Sequence, residues 1–229
     1  MSYIKNSLIK LKGFLPTKLK TNIKKFKKFN GYNDLDKKML EFINYRNGFY
    51  VDCGANDGVN QSTTWYFEKH LNWRGLLIEP IPRVFDELKK NRNKDNYFIN
   101  CALTQRNYDK DFIEFYYNNK DTLTGAIKNN KDSLKIDVKA NTFDQVINQI
   151  NYHNKIDFFS LDVEGNEFNV LDGVNFDKHY IEYILIETDN FIKIKKFLGT
   201  KNYQFLKRLS NYKLLDKPDF GDYLFKRIK

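Results

Sequence analysis

Residues 49–58, Phe-Tyr-Val-Asp-Cys-Gly-Ala-Asn-Asp-Gly, constrain what this chain can fold into more than any other stretch. A β-prone apolar run ends on a carboxylate, Asp52, and breaks into a turn that carries Gly54 and Gly58. A second run, Leu76-Leu77-Ile78, ends on Glu79 and Pro80. In open parallel α/β sheets, ligands bind beyond the carboxyl ends of the strands. Two acids at two such ends, beside a glycine turn that leads into a helix, describe a pocket for a nucleoside whose hydroxyls need acceptors.

The 229 residues are enough for one domain with a full core. The hydrophobic share of 41% and charged share of 30% are ordinary for a soluble globular protein. No apolar run approaches the roughly 18 residues of a membrane span. The Lys-rich N-terminus lacks the apolar segment of a secretory signal, so a cytoplasmic protein is expected. Cys53 and Cys101 stand apart from any Cys/His cluster, which excludes a disulfide framework or a zinc site.

The net charge of +10 is not spread evenly. Residues 1–30 hold nine lysines and no acid; removing them from the 39 basic residues leaves 30 against 29 acidic. The division expected is therefore a basic amphipathic arm, 1–30, and a near-neutral domain, 31–229. Ile4, Leu8, Leu11, Leu15, Leu19, Ile23 and Phe26 follow helical spacing, and Gly13 and Pro16 divide the arm into two short helices. Such an arm can pack on the domain, or it can contact a membrane surface or an acidic partner.

Beyond the arm, a helix is predicted over 35–45, with Leu35, Met39, Phe42 and Ile43 inward. Strands follow near 49–53, 75–79, 96–100, 156–162, 182–188, 203–209 and 222–227. They alternate with helices near 62–71, 83–92, 142–150, 166–173 and 191–199. This alternation predicts a parallel sheet covered on both faces. The last two strands have no helix of their own and form a hairpin. Residues 111–117 and 134–140 read as an inserted hairpin or an extra edge. The fold class expected is α/β: the Rossmann-like class I methyltransferase fold, with a seven-stranded, mostly parallel sheet, a C-terminal antiparallel hairpin and that insertion.

A dinucleotide site would need G-x-G-x-x-G. Here the spacing is Gly54-x-x-x-Gly58 after Asp52, so the glycines that admit a pyrophosphate are missing. S-adenosylmethionine (SAM), which has no pyrophosphate but has an amino-acid end, fits better. Asp52, Gly54, Ala55, Asn56 and Gly58 are expected to form a backbone cradle. Gln61, Ser62 and Thr63 offer N–H groups and hydroxyls to a carboxylate. Glu79, followed by Pro80, should accept the ribose hydroxyls. Asn100, Cys101 and Ala102, after the third strand, should meet the adenine edge.

These segments resemble the FkbM-type methyltransferase family over residues 48–190. Gly48-Phe-Tyr-Val-Asp-Cys-Gly-Ala-Asn-Asp-Gly58 is similar to its first motif, and Trp73-Arg-Gly-Leu-Leu-Ile-Glu-Pro80 to its second. Asn100-Cys-Ala-Leu103 takes the third-strand position, and Asn141-Thr-Phe-Asp-Gln-Val-Ile147 leads toward the fourth strand. The most specific segment is Ile156-Asp-Phe-Phe-Ser-Leu-Asp162-Val-Glu164-Gly165-Asn-Glu167-Phe-Asn-Val-Leu-Asp-Gly173. The resemblance implies SAM as methyl donor and a hydroxyl acceptor, often on a sugar or secondary metabolite.

An alcohol needs a base to become a good nucleophile. Asp162 and Glu164, at the end of the fourth strand, are the candidate catalytic pair, one taking the proton and the other positioning donor or acceptor. Glu187 and Asp189, after the fifth strand, are candidate acceptor-binding residues, and no metal is expected. His70, His153 and His179 read as surface residues. The expectation is O-methylation of a sugar, a glycan or another polyhydroxylated small molecule. An RNA 2′-O-methyltransferase would explain the basic arm, but the neutral body weighs against nucleic acid. A non-catalytic SAM-binding module is the third reading.

Overall fold

The computed structural model describes residues 28–118, 121–126, 134–212 and 218–228. Residues 1–27, which make up nearly all of the basic arm, lie outside that set. The main sheet comprises β1 (Phe49–Cys53), β2 (Arg74–Ile78), β3 (Tyr97–Ile99), β8 (Ile156–Leu161), β9 (Ile181–Thr188), β10 (Tyr203–Asn211) and β11 (Gly221–Arg227). Its order is β10-β11-β9-β8-β1-β2-β3. β1 pairs in parallel with both β2 and β8, while β11 runs antiparallel between β9 and β10. The chain builds outward from β1 through β2 to β3, then returns to lay β8 on the other side of β1. The crevice above β1 is therefore the topological switch point, where such sheets bind ligands.

Alternation along the strands explains the layers. Phe49, Val51 and Cys53 of β1, Leu76 and Ile78 of β2, and Phe159 and Leu161 of β8 share one core. That core holds α4 (Phe143–Gln149), α5 (Glu167–Asp172) and α6 (Phe191–Gly199) through Phe143, Val170 and Leu198. Tyr50, Leu77 and Phe158 face the opposite way. They pack against α1 (Leu35–Met39), α2 (Trp65–Leu71) and α3 (Pro82–Asn91) through Met39, Phe67 and Leu88. With both faces covered, β1 and β8 are buried throughout, hence their unbroken apolar character.

Local signals set the helix starts. Pro82 occupies the first turn of α3, where its missing N–H costs nothing. Thr142 and Gln145 form a reciprocal capping box at α4, the arrangement that the Thr-x-x-Gln spacing encodes. The helix expected over 35–45 is shorter: α1 ends at Met39, and turns carry the chain through Phe42. Leu35, Met39 and Ile43 are nevertheless all buried.

The insertion is larger than a hairpin. β4 (Ala102–Leu103), β5 (Phe112–Asn118), β6 (Asp121–Ala126) and β7 (Leu134–Asn141) form a second sheet in the order β4-β7-β5-β6. β7 runs parallel to β4 and antiparallel to β5. β4 is two residues long and carries no periodicity that a sequence reading can use. Phe115 and Val138 of this sheet pack with Ile81, Val84 and Ala102, which seats the small sheet over the β2 end of the main one.

His70 and His153 are exposed as expected, whereas His179 is buried. Its Nε2 lies 3.1 Å from Asp144 Oδ1, and burial lowers its pKa. It fastens the loop before β9 to α4. Among the described residues no helix is long and apolar enough to cross a membrane.

Candidate active site

A cavity of about 340 Å³ opens at the carboxyl ends of β1, β2, β8 and β9, within the size range of small-molecule sites. Its floor is the turn after β1. Gly54 adopts φ +85°, and a Cβ there would come within 1.8 Å of the Asp162 carbonyl oxygen. Only glycine lets β1 turn this close beneath the end of β8. The N–H groups of Gly54 and Ala55 both donate to the Ile78 carbonyl, each at 3.1 Å, tying the turn to β2.

Glu79 is held from two sides. Its Oε1 accepts the Ile81 N–H at 2.9 Å and its Oε2 the Asn56 N–H at 3.0 Å. Burial raises its pKa to about 7 despite those two donors. A carboxylate oxygen has two lone pairs, so each can accept one further hydrogen bond, and Glu79 lines the cavity. Burial likewise pushes the thiols of Cys53 and Cys101 upward, the latter to about 12. Both thiols line the cavity as small neutral walls.

Beneath this half lies a buried polar network. Arg92 and Glu68 side chains are 0% and 2% exposed, and Arg92 Nε donates to Glu68 Oε2 at 2.7 Å. The guanidinium also donates to the Gly58 carbonyl (3.0 Å), the Tyr50 hydroxyl (2.7 Å) and the Thr64 hydroxyl. Thr64 in turn donates to Asp52. Burial alone would raise Glu68, but the Arg92 charge overrides it and holds the carboxyl at about 2. Burial raises the Asp52 pKa, and Arg92 and the Thr64 hydroxyl only partly offset it. Arg92 thus anchors the 52–64 segment that forms the floor.

The opposite half is acidic. The carboxylate oxygens of Asp162, Glu164 and Glu187 lie within 4.8 Å of one another. Asp162 and Glu164 are exposed to the cavity, and Glu187 is half-buried. Surrounding protein and the neighbouring Glu187 and Glu164 charges push Asp162 well above the usual carboxylate range. Glu164 (φ +53°) and Gly165 (φ +95°) are both left-handed. The tight turn is closed by Glu167, which accepts the Gly165 N–H at 2.7 Å. Asp222 of β11, opposite Glu187 in the sheet register, completes the wall with Tyr212.

Of the residues expected from sequence, Asp52, Gly54, Ala55, Asn56, Ser62, Glu79, Pro80, Cys101, Ala102, Asp162, Glu164 and Glu187 line this one cavity. Three do not. Gly58 packs against α3, where a Cβ would meet Leu88 and Arg92. The Asn100 amide donates instead to the backbone carbonyls of Glu79 (2.7 Å) and Pro80 (3.0 Å), locking the β2 turn. Asp189 is exposed beyond the end of β9. Sequence reasoning missed Tyr32, Phe115, Tyr212 and Asp222, which also line the cavity. Only Asp222 left a signal, an acid at the start of the final strand, directly before the apolar run Tyr223-Leu224-Phe225.

This strand order, with a cavity at the switch point and a pinned acid after β2, is the layout of the Rossmann-like class I methyltransferase fold. The methyltransferase FkbM domain model matches residues 52–214. The chain belongs to the FkbM methyltransferase family. A solved FkbM methyltransferase from Methylobacillus flagellatus KT is 14% identical, with a TM-score of 0.51, and the match covers 81% of this chain and 45% of that one. The chain thus spans less than half the length of that relative. The precorrin-6y C5,15-methyltransferase from Geobacter metallireducens GS-15 is 12% identical, with a TM-score of 0.45 and coverage of 83% and 84%. No curated protein matches the sequence.

Proposed function

We propose that the protein is an O-methyltransferase acting on a hydroxyl of a sugar, glycan or other polyhydroxylated small molecule. The observation that carries this reading is the convergence of Asp162, Glu164 and Glu187 at the open side of the cavity, opposite the half that suits the nucleoside. SAM supplies an activated methyl group. Glu79 holds the ribose diol, Ala55 and Cys101 flank the nucleoside, and Gln61, Ser62 and Thr63 face the amino-acid end. Asp162, beside two further acids, accepts the proton that the attacking hydroxyl loses; burial and those neighbouring charges raise its pKa and so its basicity. Glu187 and Asp222 accept from the acceptor's other hydroxyls. Holding both reactants in line contributes about 7–11 kcal/mol by itself.

The charge of the wall favours this acceptor class over RNA. Six carboxylates line the cavity (Asp52, Glu79, Asp162, Glu164, Glu187 and Asp222), and no Lys, Arg or His is among the described lining residues. A phosphodiester beside the reacting hydroxyl would face only like charge, whereas a polyol finds acceptors. The test is a screen with methyl-labelled SAM against oligosaccharides, sugar nucleotides and RNA, read by mass spectrometry. The expected outcome is label on a sugar hydroxyl; label on RNA, or on nitrogen or carbon, would overturn the reading.

A further inference from the structure

We propose that Tyr212 is a positioning residue for the acidic half of the cavity, holding Asp222 and Glu187 so that Glu187 faces Asp162. This rests on the O-methyltransfer reading above. Tyr212 follows β10 and lines the cavity. Its hydroxyl donates to Asp222 Oδ2 at 3.0 Å and lies within hydrogen-bonding reach of Glu187. Asp222 and Glu187 are direct partners on adjacent strands, so one hydroxyl bridges two carboxylates that would otherwise repel. The Ser210 hydroxyl donates to the same Asp222 oxygen.

The ring is fixed as firmly as the hydroxyl. It stacks on Tyr32, with centroids 5.4 Å apart and planes 9° from parallel, and contacts Phe220 at 4.8 Å. An aromatic ring held by two others keeps its hydroxyl where it is at small conformational cost. The ionisable groups facing this hydroxyl come from three elements. Glu187 belongs to β9 and Asp222 to β11, while Lys38 of α1 acts on Asp222. Beyond them Asp162, at the end of β8, feels both Glu187 and Asp222. A donor between carboxylates favours their charged forms. Burial raises Asp222 to about 6, and the Tyr212 hydroxyl works against that rise, favouring the Asp222 anion beside the base.

The test is Tyr212→Phe, which keeps the ring in its stack and deletes only the hydroxyl. With the acceptor from the screen, kcat should fall at least tenfold while calorimetric SAM affinity stays within twofold. The acid limb of the kcat–pH profile should move to higher pH. In carboxyl ¹³C titrations, which need no turnover, the Asp222 midpoint should rise in the variant. Unchanged kcat would overturn the inference. So would a fall in kcat with neither the acid limb nor the Asp222 titration displaced, because the ring would then be only a wall. Wild-type protein that binds SAM but methylates no hydroxyl would remove the underlying reading and this inference with it, and that result needs no Tyr212 variant.

Discussion

On the β1–β2 side of the cavity, each carboxylate meets a neutral donor or a cation. Glu79 takes two backbone N–H groups, Asp52 takes the Thr64 hydroxyl, and Arg92 sits beneath both the turn and Glu68. Across the cavity, Asp162, Glu164 and Glu187 crowd within 4.8 Å of one another, and Asp222, which takes the Ser210 and Tyr212 hydroxyls, stands opposite Glu187. Satisfied groups make a rigid, preorganised receptor. Crowded acids instead repel one another and leave acceptor capacity for something that enters. The first arrangement suits a group bound the same way in every cycle; the second suits proton transfer and a hydroxyl-rich guest.

The largest effect that would sharpen this contrast is expected from Asp162→Asn. Loss of a general base typically costs 10²–10⁴-fold, so kcat should drop by about that range while SAM affinity stays within threefold by calorimetry. Equal losses in both would make Asp162 part of the donor half. Arg92→Ala attacks the opposite side. Breaking a buried ion pair costs about 3–5 kcal/mol, and denaturant unfolding should show a loss of that size. A change below about 1 kcal/mol would mean that the floor does not depend on this network.

Glu79→Ala should weaken SAM binding by about 100-fold, since two charge-assisted hydrogen bonds are lost. Unchanged affinity would refute its assignment to the ribose. The smallest effect concerns pH. On the proposed assignment to the ribose only ionised Glu79 can accept both hydroxyls, and its pKa stands at about 7. Protons therefore compete with SAM below that value, and affinity should be about tenfold weaker at pH 6 than at pH 8. Glu79→Gln should flatten this dependence; a dependence that survives the substitution would assign it to the acidic half instead.

The β1–β2 wall of the cavity was legible in the sequence because its parts are local. Asp52, Gly54 and Asn56 lie within one turn, Glu79 ends the next strand, and the Gly54 spacing excludes a pyrophosphate loop. The partial misreadings there have one cause: a residue type suited to a ligand can be consumed by the protein itself. Asn100 ties down two carbonyls, and Gly58 makes room for Leu88 and Arg92. The acidic half was half legible. Asp162 and Glu164 belong to one motif, but Tyr212 and Asp222 reach them only because β11 inserts antiparallel between β9 and β10.

Alternating apolar runs and helical patterns, each closed by an acid, a glycine or a proline, suffice by themselves to specify a parallel α/β sheet with a cavity at its switch point, since periodicity and turn chemistry are properties of neighbouring residues. Which acids gather on one wall, which tyrosine stands between two of them and which arginine lies under the floor were decided by strand order and helix packing. Those contacts join residues dozens of positions apart, and their energies depend on distance and burial, quantities that exist only once the chain is folded.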